Sequence, residues 1–323
     1  MADGATADRI EAIRNVPTLE ALYAAGERIN ITPGWVRREQ PILWAAPHSA
    51  FVPAHWRYDE CKAALDAAGR LIDVALAERR NLVLRNPIEG NDIATTRTLV
   101  CAYQMILPGE AAPSHRHAPH ALRVILDGAG SYSIVDGEKT PMETGDVVLT
   151  PGWCWHSHGH DGDRPAYWLD VPLVRLMETM FYEEHPDRFE RNVRTVASSP
   201  YRFPRAEIAR RLDHAVPDPE GFHGPRITLE APTMPTMGLG MERLAAGTAT
   251  RRQRSTANRV FCPVEGSGES IVGGERIAWR RGDTFAVPCW TKFEHRAAAD
   301  TVLFDLSDEP LMRFAHYWRF EAD

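Results

Sequence analysis

Cysteine is scarce in this 323-residue sequence: five residues, an odd number, none of them in a CxxC pair. That excludes a disulfide framework or a thiolate metal cluster as the organising device. Long hydrophobic runs are also missing, and none approaches the ~20 residues of a membrane span. The opening MADGATADRIEAIRN is polar and charged where a signal peptide would carry its apolar core. There is no basic surplus. The net charge is -7 and the pI about 6.0, so neither nucleic acid nor an anionic membrane is an expected partner. What is present, 44% hydrophobic and 25% charged residues with 23 glycines and 24 prolines, is the composition of a folded, loop-rich globular protein. The length suits roughly two domains of ~150 residues, and the expected location is the cytoplasm.

Apolar residues recur at helical spacing over residues 7–15 and 17–29, and again over 61–80, where Ala63, Ala64, Ala67, Leu71, Val74 and Leu76 share a face. Residues 35–58 are rich in Pro, Trp and His without a clean period and read as an ordered loop. From residue 81 short β-branched and aromatic runs alternate with turns such as Asp127-Gly128 and Asp136-Gly137, the pattern of an antiparallel sandwich or barrel. A helix is expected over 177–192 and a long Pro-rich connection over 199–235. The β-texture then returns as a repeat. Arg123-Val124 recurs as Arg259-Val260, Val135-Asp136-Gly137-Glu138 as Val272-Gly273-Gly274-Glu275, and Gly145-Asp146 to Pro151 as Gly282-Asp283 to Pro288. With Gly109 to His117 matching Gly247 to Ser255, these ordered matches indicate internal duplication at a spacing of ~137 residues. The expected division is a helical and loop segment over 1–80, a metal-binding β-module over 81–192, a connection over 193–235 and a second β-module without metal ligands over 236–323.

His115 and His117 stand two apart in an expected strand, so their side chains share a face, and His156 lies on a strand further along. Three imidazoles from two strands can converge on one ion inside a barrel. The second copy is an internal control. It carries Gln253, Ser255 and Phe293 at the equivalent positions, so the three imidazoles vanish together while the scaffold persists. Residues lost as a set point to a shared ligand, and on ligand type that ion is iron or zinc equally.

Gly109-x5-His115-x-His117 and Gly145-x5-Pro151-x4-His156 resemble the two cupin motifs. LPGEAAPSHRH over 107–117, ALR over 121–123 and TPGWCWHSH over 150–158 make the chain, from about residue 30 onward, similar to the gentisate and salicylate 1,2-dioxygenase family. That family also includes 1-hydroxy-2-naphthoate dioxygenases. The resemblance implies a mainly β bicupin of two jelly-roll barrels with N-terminal and connecting helices. It implies Fe(II) on His115, His117 and His156, a small aromatic acid and O2 as reactants, and a homotetramer. The implied reaction opens a salicylate-type acid (a 5-substituted salicylate such as 5-nitrosalicylate, or gentisate) between its carboxyl- and hydroxyl-bearing carbons. The alternatives are a 1-hydroxy-2-naphthoate dioxygenase, or a metal cupin without O2 chemistry, an isomerase or an aromatic-acid-binding protein. Many cupins place a Glu shortly after the second His, whereas this chain reads Ala118-Pro119-His120. A neutral ligand set leaves the ion's charge for a substrate bringing carboxylate and phenolate oxygens.

The same resemblance places the substrate carboxylate on Arg79 and Arg123. Arg123 lies six residues beyond His117 on the same parity, which aims it into the same cavity, and a guanidinium stays charged when desolvated. Gln104, His158 and Asp170 match positions lining the iron and oxygen pocket. His158, two residues from His156, is a fourth ligand, a proton-transfer group or a packed imidazole. Asp170 among apolar neighbours needs a partner, and His158 is the candidate. Val100 stands where the family usually holds Trp, and His120 where a small polar residue is common. Together they imply a wider pocket with an added donor or, if protonated, an added positive charge. His160 reads as a surface histidine and His295 as structural.

Overall fold

The computed structural model describes residues 2–35, 44–73, 80–128, 130–174, 181–184 and 193–323. The chain forms two compact units, 1–47 and 48–323. The first unit holds helices Ala2–Arg14 and Leu19–Arg28. The second of these begins at Thr18, whose Oγ1 accepts the Ala21 N–H at 3.2 Å, one of the orphan donors of a first helical turn.

The second unit opens with the short strand Ala54–Trp56 and the helix Tyr58–Leu71 and is mostly β thereafter. Of the helix expected over 61–80, the described part ends at Leu71, residues 74–79 lie outside the described residues, and Arg80 starts a strand. Each of the two β-modules pairs two sheets. In the first module one sheet runs, edge to edge, Arg202–Phe203, Val147–Thr150, Ala121–Asp127, Ala166–Val174, Leu99–Ile106 and Arg80–Val83. Its partner sheet runs Tyr182–Glu184, Ala111–His117, His156–His160, Ser131–Val135, Glu138–Pro141 and Arg194–Thr195. The second module repeats the plan with Ala54–Trp56, Thr284–Val287, Arg259–Glu265, Thr301–Ser307, Gly238–Leu244 and Arg226–Thr228 in one sheet. Glu275–Arg280, Ser267–Val272, Phe293–Ala297, Gln253–Ser255 and Phe320–Ala322 form the other. This is the bicupin architecture.

Two departures from the sequence reading concern edges. Ala54–Trp56, inside the stretch read as a loop, is a strand that pairs with Thr284–Val287 of the second module. Within the expected helix 177–192, the described residues Tyr182–Glu184 form a strand against His115–His117, and the neighbours at 175–180 and 185–192 lie outside the described residues. A three-residue edge strand has too little sequence to show a period, so its pairing partner decides its conformation.

The sheet that holds Leu99–Ile106 faces the first barrel's interior on one side and the second module on the other, which is why the whole strand is buried. One face (Leu99, Cys101, Tyr103, Met105, with Leu122, Val124 and Leu169) joins Leu239, Met241, Val260, Phe304 and Leu306 in a core between the modules. The Tyr103 hydroxyl donates across it to the Gly282 carbonyl at 2.6 Å. Alternation then turns Val100, Ala102, Gln104 and Ile106 into the first barrel.

His295, read as structural, is buried in the second barrel with Nδ1 2.7 Å from Ser270 Oγ and its ring centroid 4.7 Å from that of Phe261. Burial, the largest influence, pushes this imidazole from its ordinary 6.5 down to about 4. Between those two values the unfolded chain binds the proton and the folded chain does not, so stability is full above 6.5 and falls as pH drops towards 4. At ~1.4 kcal/mol per unit the loss is about 3 kcal/mol. Urea unfolding of His295→Gln against the parent at pH 7 and pH 4.5 should show a smaller acid loss in the variant; equal losses would exclude His295 as a source.

Candidate metal centre

Sheet geometry brings His115 and His117 to one face and sets His156 directly opposite His115 in the ladder. The ladder between Ala111–His117 and His156–His160 slips between Ala112 and His115, and Pro113, with no N–H to lose, lies in the slip. Ring centroids of His115 and His156 are 4.1 Å apart, those of His117 and His156 4.7 Å, and those of His115 and His117 5.9 Å. One ring nitrogen from each lies within 4.8 Å of the others. His115 and His156 are buried, whereas His117 is half-buried. Arg116 between them faces away. Its Nε donates to Glu183 at 2.8 Å, and its guanidinium lies 4.6 and 4.7 Å from the rings of Trp153 and Trp155.

The protonation of the three rings follows from their other nitrogens. His115 Nδ1 is 2.8 Å from the Pro113 carbonyl, His117 Nδ1 2.7 Å from Pro119 O, and His156 Nδ1 3.0 Å from Cys154 O. Carbonyls only accept, so each Nδ1 carries the proton and each Nε2 keeps its lone pair. The Nε2 of His156 is buried without a hydrogen-bond partner. Burial first, then the neighbouring His115, His117 and Arg123, holds the His156 imidazole well below its ordinary range and therefore neutral. Three imidazoles whose Nδ1 atoms are engaged by backbone carbonyls and whose remaining ring nitrogens converge fit a divalent metal ion.

Across the barrel, Arg123 pairs in register with Asp170 on one side and Val148 on the other, and Gln104 with Trp168 and Asn81. Arg123 is 1% exposed; its Nη1 donates to Thr150 Oγ1 at 2.8 Å, and its Nε lies 3.5 Å from Asp170 Oδ1. Asp170, for which the sequence offers His158 as a candidate partner, forms an ion pair with Arg123. His158 sets Nδ1 3.2 Å from Ser133 Oγ, and its ring meets Trp168 of the facing sheet at 6.2 Å. Its ring centroid is 5.7 Å from that of His156, outside the three-nitrogen group. Arg123 and His117 are not on one strand. The chain turns at Ala118-Pro119-His120, and the two residues belong to facing sheets. Val100 is buried, opposite Leu173 in the ladder.

The structure narrows the reading of His120 and overturns that of His160. His120 Nδ1 accepts the Gly152 N–H at 2.8 Å, and burial lowers its pKa, so the ring is a neutral Nε2–H donor and adds no positive charge. Its nearer task is to fix the turn leading to His156: a Cβ on Gly152 would lie 2.3 Å from Ala118 O. His160, read as a surface residue, is 1% exposed, accepts from the Gly162 N–H at 3.3 Å and bonds the Arg164 carbonyl. Arg79 lies outside the described residues. Its neighbour Arg80 is spent on structure, donating to Ile72 O at 2.9 Å and Glu110 Oε2 at 2.6 Å.

A model of the cupin domain matches residues 102–172, the stretch carrying these groups. The chain is also 35% identical, over 92% of its length and 94% of the relative's, to gentisate 1,2 dioxygenase 1 of Aquipseudomonas alcaligenes. It belongs to the gentisate and salicylate 1,2-dioxygenase family. A second member, the 5-aminosalicylate 1,2-dioxygenase of a Comamonas species, is 32% identical over 94% of this chain and 90% of its own. The crystal structure of salicylate 1,2-dioxygenase from Pseudoaminobacter salicylatoxidans with gentisate superposes at a TM-score of 0.85, with 29% identity, over 96% of this chain and 95% of that one.

Three residues beside this dioxygenase-family centre escaped the sequence reading: Thr150, Trp168 and Tyr182, whose ring centroid is 5.5 Å from that of His115. Thr150 and Trp168 flank motif residues and could have been found from strand parity. Tyr182 could not, because its strand exists only through pairing with the His115–His117 edge.

Proposed function

We propose that the chain is an Fe(II)-dependent dioxygenase that opens a salicylate-type aromatic acid between its carboxyl- and hydroxyl-bearing carbons, taking both atoms of O2. The observation that carries this reading is the set of three tautomer-locked imidazoles facing a buried Arg123–Asp170 pair inside one barrel of a family member. Ferrous iron held by His115, His117 and His156 would supply the redox chemistry that lets O2 react with an aromatic ring. A cytoplasmic homotetramer belongs to the same reading.

The chain's own part is binding, orientation and proton handling. Thr150 and Asp170 hold the Arg123 guanidinium in place, so it offers an aromatic acid's carboxylate a fixed cation with no reorganisation on binding. Arg79 is proposed as a second cation for that carboxylate. His158, steadied by Ser133, would take the phenolic proton at its ring nitrogen, and Gln104 would offer its amide to the bound reactants. Apolar walls exclude water, which strengthens each of these contacts.

Val100 in place of a larger aromatic side chain, with His120 as a neutral donor, supports a pocket that takes substituents other than hydroxyl para to the phenol oxygen. Iron-loaded protein assayed by O2 uptake on gentisate, salicylate, 5-aminosalicylate, 5-nitrosalicylate, 5-chlorosalicylate and 1-hydroxy-2-naphthoate should turn over at least one 5-substituted salicylate with kcat/KM no lower than that for gentisate. Gentisate leading all others by ~10-fold, ~1.4 kcal/mol of transition-state binding, would contradict the widened pocket. No O2 uptake with any of them would overturn the dioxygenase reading.

A further inference from the structure

The second barrel lacks the three-imidazole set but keeps open space beside it. At the position of His156 stands Phe293, 5.6 Å from the ring of Phe261, which in turn stacks on Phe285 at 5.2 Å. That aromatic plug fills one part of the barrel. A cavity of about 460 Å³ remains, with Gln253, the counterpart of His115, in its wall.

The cavity's wall is rich in arginine and aromatic rings: Arg226, Arg259 and Arg313 line it with Phe222, Trp318 and Phe320, beside His223 and the acids Asp218 and Glu309. Gly240 makes room for Arg226, since a Cβ there would lie 2.3 Å from Arg226 Nη2. Arg226 donates from Nε and Nη2 to Asp305 Oδ2 at 3.1 and 2.7 Å, and Arg259 Nη1 approaches the same carboxylate at 3.5 Å, so both guanidiniums meet at Asp305. Glu309 accepts from Arg259 Nη2 at 2.6 Å and from Arg313 Nε at 2.8 Å. Asp218 accepts the backbone N–H groups of Glu220 and Phe222. Each acid is thus already matched, while the Nε–H of Arg259, a residue only 8% exposed, is buried without an acceptor. A buried donor lacking its partner costs stability until an acceptor arrives. Beside the cations, Phe222 and Phe320 stand edge to face at 5.4 Å, and Trp318 carries the Arg313 guanidinium at 4.3 Å.

We infer that this second-barrel cavity binds a small aromatic carboxylate, with the carboxylate against Arg226 and Arg259 and the ring among Phe222, Trp318 and Phe320. The site needs no metal and is separate from the three-imidazole centre. Benzoate is the probe, because it lacks the ortho hydroxyl that chelates a metal. Calorimetric titration of metal-stripped protein should show one benzoate per chain, with benzylamine, the same ring bearing a cation, at least ~10-fold weaker, as loss of a charge-assisted contact requires. Arg226→Gln and Trp318→Leu, both at the partly open side of the cavity and each checked to be folded at the titration temperature, should each weaken benzoate by at least ~10-fold, whereas His117→Ala should leave it unchanged. Displacement of benzoate by gentisate would make the reaction's own substrate class the occupant; no displacement would assign the site to another aromatic acid. Absence of benzoate binding, binding that survives both second-barrel variants, or binding lost in His117→Ala would overturn the inference.

Discussion

His117→Ala is expected to fold normally, to lose its metal ion and to lose turnover by at least ~10³-fold, about 4 kcal/mol of transition-state stabilisation. Of the three imidazoles it is the half-buried one, so its removal opens no large internal cavity, whereas His115 and His156 are buried. Two ligands on two strands would remain, and a labile two-imidazole site cannot hold an ion against a chelator. The second barrel offers no substitute, because Gln253, Ser255 and Phe293 occupy the matching positions. Metal analysis should find one ion per chain in the parent and a small fraction in the variant. Two ions in the parent, or full activity in the variant, would refute the assignment of the centre.

Arg123 variants should show the second large effect, and burial makes it two effects at once. Arg123→Met removes the guanidinium that stands 3.5 Å from Asp170 Oδ1, leaving a carboxylate only 7% exposed without that charge beside it. Breaking a buried pair in this way costs about 3–5 kcal/mol of stability. Loss of the contact to the substrate carboxylate should weaken binding by about 2–5 kcal/mol. The two are separated by Arg123→Lys, which keeps the charge but not the planar fork. In that variant thermal stability should recover in part while the KM for the aromatic acid stays raised and metal content is unchanged. An unchanged KM in folded, metal-loaded Arg123→Met would show that another group holds the carboxylate.

The parts of this molecule written locally could be read from sequence. The His115–His117 pair follows from strand alternation, the third imidazole from its distance past a Gly-Asp turn, and the barrel repeat from ordered matches between copies. Contacts set by distant segments could not. Ala54–Trp56 is a strand only because Thr284–Val287 offers an open edge, and Tyr182–Glu184 only because the His115–His117 edge does. Arg123 was aimed at the cavity by counting along one strand from His117. The count gave the right face for the wrong reason, since a turn intervenes and the residue comes from the facing sheet. That Asp170 stands beside Arg123 is set by the ladder between their strands and is not legible from the sequence around either residue. His160 looked exposed because a His-Ser-His-Gly-His run is polar, yet both its ring nitrogens are used in holding the loop to Arg164.

The central claim, ring opening by both atoms of O2 at the three-imidazole centre, is tested most directly by isotope labelling. Iron-loaded protein, given an aromatic acid that supports O2 uptake, should convert it under 18O2 to a ring-opened product carrying two labelled oxygen atoms, with one O2 consumed per product formed. His117→Ala should form none. A product carrying one label or none, or a product formed without O2, would contradict it.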